Sequence, residues 1–298
     1  MKLFNITNTK TNSSSNKNGG SSLGNDKVKW LSLPYIVWMI GFIILPLLVI
    51  IYYGLTSGNK LKNLFTLGNI RLILDPTNFK ALRLSLELSL ISTLICLLLA
   101  YPLAMILSRS RMKSNNFIVM IIILPMWMNF LLRTIAWQNI LERTGIINTV
   151  LNFLKLPTLN IINTPLAIVL GMVYNFLPFM VLPIYNVLIK IDKDVVAAAR
   201  DLGANSIQTF LKIILPLSIP GVISGITMVF VPSLTTFVIS TILGGSKIIL
   251  IGNVIEQHFR VGNWHAGSGL SIVLMFFILV SMAILSKYDK EGEGGSLW

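Results

Sequence analysis

Six long apolar stretches dominate this sequence and restrict what it can fold into. They lie near Leu31–Leu55, Ala81–Leu107, Phe117–Ile140, Thr164–Leu188, Leu217–Leu243 and Gly267–Leu285. A helix rises about 1.5 Å per residue and a bilayer's hydrocarbon core is about 30 Å thick, so about 20 apolar residues cross it. The sequence therefore predicts an all-α membrane protein with six transmembrane helices.

The composition excludes an ordinary soluble domain and argues against nucleic-acid binding. Hydrophobic residues make up 54% of the chain and charged residues only 12%, whereas a soluble domain has about 25% charged residues. The net charge is +13, but the Lys and Arg residues lie mostly between the apolar stretches, without an aromatic–basic platform or zinc-ligand spacing. Membrane topology and lipid headgroups explain this charge better. We expect the lipid bilayer, and no nucleic acid, as a partner.

The distribution of charge predicts the orientation of the chain. Six spans put both termini on one side, and a cytoplasmic assignment of the termini, the turn at 109–116 and residues 190–216 collects more than half of the 24 Lys and Arg residues. Short basic loops weigh most in the positive-inside rule. Residues 1–29, polar and without a cleavage site, predict a disordered cytoplasmic tail. Residues 30–286 are then the membrane domain, and residues 287–298 a short C-terminal tail.

The polar stretch between the fourth and fifth spans is the least membrane-like internal segment. From Asp194 to Thr209 its apolar residues recur every three or four positions, which favours an amphipathic helix. Gly203 offers a helix end, and a second short helix can begin near Ser206. The periodicity fits two structures equally: a helix lying on the bilayer surface, or a helix–turn–helix that fits a partner's groove.

The spacing in this stretch resembles the EAA loop of ABC importer permeases. The family pattern is E-A-A-x3-G-x9-I-x-L-P, and this chain has Ala198-Ala199, then Gly203, then Ile213-x-Leu215-Pro216. Two further runs resemble the spermidine/putrescine branch of that family: Leu124-Pro125-Met126-Trp127 with Arg133-Thr134-x-Ala136-Trp137, and Gly244-Gly245-Ser246-Lys247 with Leu250 to Ile255. Together, residues 31–285 resemble a polyamine permease.

The resemblance implies a type I ABC importer permease fold with a cytoplasmic coupling helix between helices 4 and 5. We call residues 190–216 the coupling loop. The resemblance assigns contact with the ATPase to Ala197, Ala198, Ala199, Arg200, Asp201, Leu202, Gly203, Ala204, Ile213, Leu215 and Pro216. The family's Glu falls on Ala197, so we expect weaker but intact coupling.

The same resemblance implies partners in a bacterial cell (inner) membrane. These are a second permease of the PotC kind, a pair of ATPase subunits of the PotA kind and an extracytoplasmic polyamine-binding protein of the PotD kind. The chain has no G-x4-G-K-[ST] run, so ATP and Mg²⁺ are expected on the ATPase. The chain itself is expected to be a transport subunit, with no cofactor and no enzymatic activity.

A polycation crossing a bilayer needs carboxylates, carbonyl oxygens and aromatic faces along its route. Glu87 is the one acidic residue well inside a predicted span. Contact with substrate and a structural ion pair with Arg133 are equally good explanations for it. The other candidates for the translocation path are aromatic, amide and hydroxyl residues: Tyr101, Trp127, Asn129, Trp137, Tyr174, Asn175, Thr235 and Thr236.

Other functions remain as alternatives at this level. A permease for iron, sulfate or a sugar has a similar pattern, since substrate choice rests largely with the binding protein. A secondary transporter is expected to show inverted repeats or paired intramembrane charges, and no clear repeat is present. An intramembrane transferase or protease needs clustered Asp, His or Ser–Lys residues, which the spans lack. His258 and His265, without accompanying carboxylates, and the single Cys96 predict no metal site.

Overall fold

A computed structural model describes residues 34–57, 65–109, 120, 124–245 and 247–293. The predicted tail at residues 1–29, the basic turn after Arg109, the first part of the predicted third span and the end of the C-terminal tail lie outside these ranges. The described residues are helical or irregular, with one isolated β-bridge between Thr56 and Phe65. The all-α fold class is therefore confirmed.

Ten helices organise the described residues. They are α1 (Pro34–Leu55), α2 (Pro76–Arg109), α3 (Phe130–Leu141), α4 (Ile146–Phe153), α5 (Pro165–Leu188), α6 (Lys193–Asp201), α7 (Ser206–Thr235), α8 (Val238–Leu243), α9 (Ile251–Arg260) and α10 (Trp264–Glu293). Short helical turns at Gly68–Arg71 and Leu72–Leu74 precede α2. Within these ranges, α1, α2, α5, α7 and α10 are long and apolar enough to cross a membrane.

The chain divides into two compact units, Met1–Val49 and Ile50–Trp298. In the first unit, the described residues are the beginning of α1, which contains a π-helical segment at Ile40–Ile44. The rings of Trp38 and Phe42 stack there at 5.6 Å. The second unit holds the buried core and all of the candidate sites.

Three helices of the second unit, α2, α5 and α7, form the centre of the core. The side chains of Ile168, Met172, Met180 and Ile184 on α5 are fully buried. Small residues on α7 let it approach α5 closely: a Cβ at Gly225 would lie 2.7 Å from the sulfur of Met180. Close packing of this kind replaces the hydrophobic driving force that is missing between helices in lipid.

The predicted fifth span, Leu217–Leu243, differs from the observed helix at both ends. Helix α7 begins eleven positions earlier, at Ser206, because Asn205 and Gln208 form a capping box there. Its π-helical segment Phe210–Ile214 ends two residues before Pro216. The π-helical turn is wider than an α-helical one and so accommodates the ring of Pro216, whose nitrogen has no hydrogen to donate. Thr236 is extended, with ψ 135°, so α8 is a separate helix.

The predicted third span is not one continuous helix. A single helical turn at Leu124–Trp127 is followed by a break at Met128 and Asn129. The Asn129 side chain accepts hydrogen bonds from the backbone N–H groups of Leu131 at 2.9 Å and Leu132 at 3.3 Å, and so caps α3. Hydropathy alone does not reveal this break, because apolar residues continue on both sides.

Candidate functional site

The coupling loop forms a compact helix–turn–helix at one end of the core. Asp192 begins α6 by accepting a hydrogen bond from the backbone N–H of Asp194 at 2.9 Å. The helix ends at Gly203, whose φ of +84° suits glycine. The N–H of Ala204 then donates to the carbonyl of Ala199 at 3.0 Å, and Asn205 starts α7. Local capping therefore fixes the turn between α6 and α7.

The coupling loop exposes apolar side chains on its outer surface. Leu202 is 90% exposed and Ile207 69% exposed, whereas Ala199 faces the protein and is 8% exposed. A Cβ at Gly203 would meet nothing within 4 Å, so open space surrounds the turn. Large apolar side chains with this exposure on a short helix–turn–helix are typical of a surface that contacts another protein.

The other predicted residues of the loop divide between this surface and the core. Ala197, Ala198, Arg200, Asp201 and Pro216 are exposed; Ala204, Ile213 and Leu215 are half-buried. Ile213, Leu215 and Pro216 lie within α7, so the helix carries the second half of the motif directly into a membrane span.

A second candidate site lies at the opposite end of α7. It is a cavity of about 680 Å³ whose walls include Thr235, Phe237, Phe259 and Met275. Glu256 also lines it, and its Oε1 accepts a hydrogen bond of 2.7 Å from Nε of Arg260, one turn further along α9. We call it the Glu256 cavity. A carboxylate among aromatic rings is a combination that binds ammonium groups.

Two contacts position α9 beside this cavity. The backbone N–H of Ile251 donates to Oγ of Ser85 on α2 at 2.8 Å. A Cβ at Gly252 would lie 2.8 Å from the carbonyl oxygen of Thr235, so only glycine lets α9 cross the end of α7. The motif Leu250–Ile255 therefore places the beginning of α9, and with it Glu256, at the end of α7.

Asn253 connects α8 to α9 with both atoms of its side-chain amide. Its Oδ1 accepts from Oγ of Ser240 at 2.6 Å and from the N–H of Leu250 at 3.0 Å. Its Nδ2 donates to the carbonyl of Phe237 at 3.1 Å and to Oγ1 of Thr241 at 2.8 Å. All of the hydrogen-bonding capacity of this amide is therefore used.

The predicted path residues are dispersed over several places. Tyr101 hydrogen-bonds Oγ of Ser218 at 2.7 Å, and the ring of Trp137 meets that of Tyr174 at 5.2 Å. Trp127 is 80% exposed. Thr235 lines the Glu256 cavity, although its hydroxyl donates back to the carbonyl of Val231 at 3.1 Å; Thr236 follows it, half-buried.

Glu87 and Arg133 are not paired with each other. Glu87 Oε1 accepts from Nε of Arg83 at 2.7 Å, and both side chains are exposed, at 48% and 73%. Arg133 is 6% exposed, and its Nε and Nη1 have no hydrogen-bond partner among the described residues. The buried Oδ1 of Asn175 is likewise without a partner there, while its Nδ2 donates to the carbonyl of Gly171 at 2.8 Å. The ion-pair explanation for Glu87 is therefore wrong in this structure.

His265 has a structural position instead of a metal-binding one. Its Nδ1 lies 3.0 Å from the carbonyl oxygen of Tyr53 and 2.8 Å from that of Thr56, so it caps the last turn of α1. Asn69 Nδ2 donates to the same carbonyl of Thr56 at 2.9 Å. The described residues hold no group of three side chains suited to a metal ion.

The predicted spans leave residues 244–266 between the fifth and sixth spans, so the sequence analysis does not select Glu256. The signal was present: Ile251, Val254 and Ile255 recur at helical spacing, with Glu256 and Arg260 on the other side. A short amphipathic helix next to a span would have placed Glu256 at the edge of the membrane domain.

Comparisons with known proteins agree on one class. Residues 97–288 match the family model described as "Binding-protein-dependent transport system inner membrane component". The "Spermidine/putrescine transport system permease protein PotB" of Escherichia coli strain K12 is 40% identical over 243 residues, covering 80% of this chain and 88% of that protein. The protein of the same name from Haemophilus influenzae is 37% identical over 260 residues, covering 85% and 91%.

A solved structure has the same fold at low identity. A chain from the crystal structure of a bacterial ABC transporter that imports the acidic polysaccharide alginate superposes with a TM-score of 0.73 and 17% identity, covering 93% of this chain and 100% of that one. At this identity, the likeness concerns the fold alone.

Proposed function

Because the chain belongs to the family of binding-protein-dependent transport system inner membrane components, we propose that it is the permease subunit of an ATP-driven polyamine importer. The observation that carries the substrate class is the 40% identity to a spermidine/putrescine permease over most of both chains. The chain is a transport subunit of a bacterial inner membrane, and spermidine or putrescine is its proposed substrate.

The coupling loop is the proposed contact with the ATPase. Its exposed Leu202 and Ile207 present apolar surface, while Asp192 and Asn205 fix the backbone through capping. A rigid surface loses little conformational entropy on binding, which favours docking into a groove. Since Ala197 contributes only a methyl group, shape and apolar area would dominate this contact.

The Glu256 cavity is the proposed entry of the translocation path. A polyamine carries ammonium groups separated by methylene segments, and the cavity offers one carboxylate among Phe237, Phe259 and Met275. At rest, Arg260 neutralises Glu256. An arriving ammonium group would exchange for Arg260, so the carboxylate is never left without a counter-charge, which is costly in an apolar site.

The remaining architecture follows from this assignment. We infer a second permease of the PotC kind, an ATPase pair of the PotA kind that binds ATP and Mg²⁺, and an extracytoplasmic binding protein of the PotD kind. The coupling loop then lies in the cytoplasm, together with both chain termini. Residues 30–286 would form the permease domain, between an N-terminal tail and a short C-terminal one.

The test is ATP turnover by the chain in liposomes with its candidate partner permease, ATPase and binding protein. Spermidine, putrescine, a sugar and ferric ion are compared as stimulants, with the binding protein omitted as the control. We expect stimulation by a polyamine and by neither of the other solutes. Stimulation by the sugar or ferric ion alone would contradict the substrate class, and loss of the ATPase during purification would contradict the coupling loop.

A further inference from the structure

A second cavity, of about 670 Å³, lies between the coupling loop and the ends of the spans. Its walls come from the last turn of α2, the end of α5, the inner side of α6 and Ile214 on α7. Its volume is within the range of small-ligand sites. The proposal below does not use the substrate of the transporter, but it relies on the proposed function for the coupling role of α6.

The charged side chains that line this cavity are all cationic. They are Arg109 at the end of α2, and Lys193 and Arg200 on α6. Lys193 and Arg200 are seven residues apart, so they lie two turns apart on one helix face, with Ala197 between them. None of the three has an ion-pair partner among the described residues. We call it the cationic cavity.

The neighbouring acidic residues form no ion pair with these cations within the described part of the chain. Asp192 is occupied as the cap of α6, where its Oδ1 accepts from the N–H of Asp194. Asp194 and Asp201 are exposed and do not line the cavity. Ala197, which does line it, contributes only a methyl group. Among the described residues, the lining of the cavity therefore has a charge of about +3 and includes no carboxylate.

The surroundings of the cations also favour one class of ligand. Ser108 adds a hydroxyl group, while Met105, Leu188 and Ile214 form an apolar wall that continues into the core. The site lies where α2 and α5 end, so it is at the depth of lipid headgroups if these helices span the bilayer. Arg and Lys side chains bind phosphate oxygens through charge-assisted hydrogen bonds.

From this arrangement, we propose that the cationic cavity binds the phosphate group of an anionic ligand and so holds α6 against the ends of α2 and α5. A phosphate would bridge Arg109 on one side to Lys193 and Arg200 on the other. Both an anionic phospholipid and a free phosphate ester carry this group. The bound anion would fix the angle at which the coupling loop meets the ATPase.

The test measures lipid bound by the permease pair, purified without the ATPase, in nanodiscs that mix phosphatidylcholine with phosphatidylglycerol. Bound phosphatidylglycerol is counted by native mass spectrometry after transfer to detergent. Each cation near an anionic headgroup contributes about a fivefold gain in affinity. We expect Arg109→Gln and Lys193→Gln each to lower retention by about that factor. Lys190→Gln, which removes a nearby cation that does not line the cavity, should leave retention unchanged.

Ala197→Glu is an independent variant, because it adds a tethered carboxylate to the cavity without removing a cation. It should displace the phosphatidylglycerol and remove any effect of that lipid on ATP turnover by the reassembled transporter. Competition with inorganic phosphate and with glycerol phosphate identifies the source of the group. Displacement by these soluble anions at low millimolar concentration indicates a free phosphate ester, and resistance to them indicates the lipid.

Two results would overturn the proposal. One is equal retention of phosphatidylglycerol in all variants together with no measurable binding of either soluble phosphate. The other is that Arg109→Gln and Lys193→Gln retain the anion but lose the ATPase on reassembly, which would assign these cations to the protein interface. Both results are independent of polyamine stimulation, so failure here is distinct from failure of the proposed function.

Discussion

Gly252 passes the carbonyl oxygen of Thr235 so closely that a Cβ at position 252 would lie 2.8 Å from it. A backbone oxygen at the end of a packed span cannot rotate away as a side chain can. This crossing fixes α9, and with it Glu256, at the end of α7.

Gly252→Val should therefore destabilise the protein and displace Glu256. Overpacking at a backbone contact costs about 1–3 kcal/mol, which a lower melting temperature of the detergent-purified permease pair would reveal. Gly41→Val is the matched control, because a Cβ there would meet nothing within 4 Å. Equal melting temperatures for the two variants would show that α9 has another way to cross α7.

Asn253→Leu should loosen α8 from α9. The substitution removes the side-chain amide of Asn253, and the backbone N–H of the buried Leu250 loses the Oδ1 acceptor to which it donates. Each buried polar group left unpaired costs about 1–3 kcal/mol. The expected result is faster proteolysis between residues 237 and 263. Asn152→Leu, at an exposed position, is the comparison and should leave the cleavage rate unchanged.

Leu202→Asp should disrupt coupling without disrupting the fold. The side chain is 90% exposed, so its replacement removes little buried area within this chain. Loss of an apolar anchor at the centre of an interface costs about 2 kcal/mol or more, equivalent to at least about 30-fold in affinity. The measurement is co-purification of the ATPase, with Leu202→Met as the conservative variant. An unchanged yield of ATPase with Leu202→Asp would place the interface elsewhere.

Substitutions at Gly203 test whether the backbone conformation of the same turn matters for coupling. With φ at +84° and open space around it, Gly203→Asn should be tolerated, since asparagine adopts this conformation more easily than other residues. Gly203→Val should be strained by about 1–2 kcal/mol and should reduce polyamine-stimulated ATP turnover. If both variants support full turnover, the conformation of this turn has no role in coupling.

Glu256→Gln should reduce transport of a polyamine and leave folding intact. It removes the carboxylate from the cavity but keeps its size, so an arriving ammonium group loses its charged partner. We expect about tenfold or more loss of spermidine uptake, the usual effect of losing one charge-assisted contact. Glu87→Gln is the matched comparison, because Glu87 also pairs with an Arg four residues away. If Glu87→Gln lost uptake and Glu256→Gln did not, the substrate contact would be assigned to Glu87 instead of Glu256.

The apolar spans were predictable because length and hydropathy are properties of a continuous segment. Their interruptions were not, because Asn129 begins a new helix by capping it and Thr236 ends one with its extended backbone, both inside stretches of similar hydropathy. The early start of α7 was partly visible in the sequence, since Asn205 and Gln208 have capping-box spacing.

The helix–turn–helix within residues 190–216 was easier to predict from the sequence than the Glu256 cavity. Its residues lie close together in the sequence, so the rules for helix capping and helix termination apply directly to their spacing. The Glu256 cavity requires α9 to be placed against α2, α7 and α10, and the contact of Ile251 with Ser85 on α2 joins residues 166 positions apart. Pairings of that separation leave no periodic signal in a single sequence, so polar residues such as Tyr101 and Asn129 were chosen by chemistry alone.

Helix α7 contains 30 residues, which corresponds to about 45 Å. Its first turns belong to the coupling loop, and its last residue, Thr235, lines the Glu256 cavity. If a helix of that length moves as one body, a tilt of about 5° around its beginning moves its far end by about 4 Å. In the proposed importer, a movement that the ATPase imposes on the coupling loop would thus change the shape of the distant cavity without any relay of side chains. The π-helical segment at Phe210–Ile214 and the internal Pro220 and Pro232 are the positions where α7 departs from a regular helix.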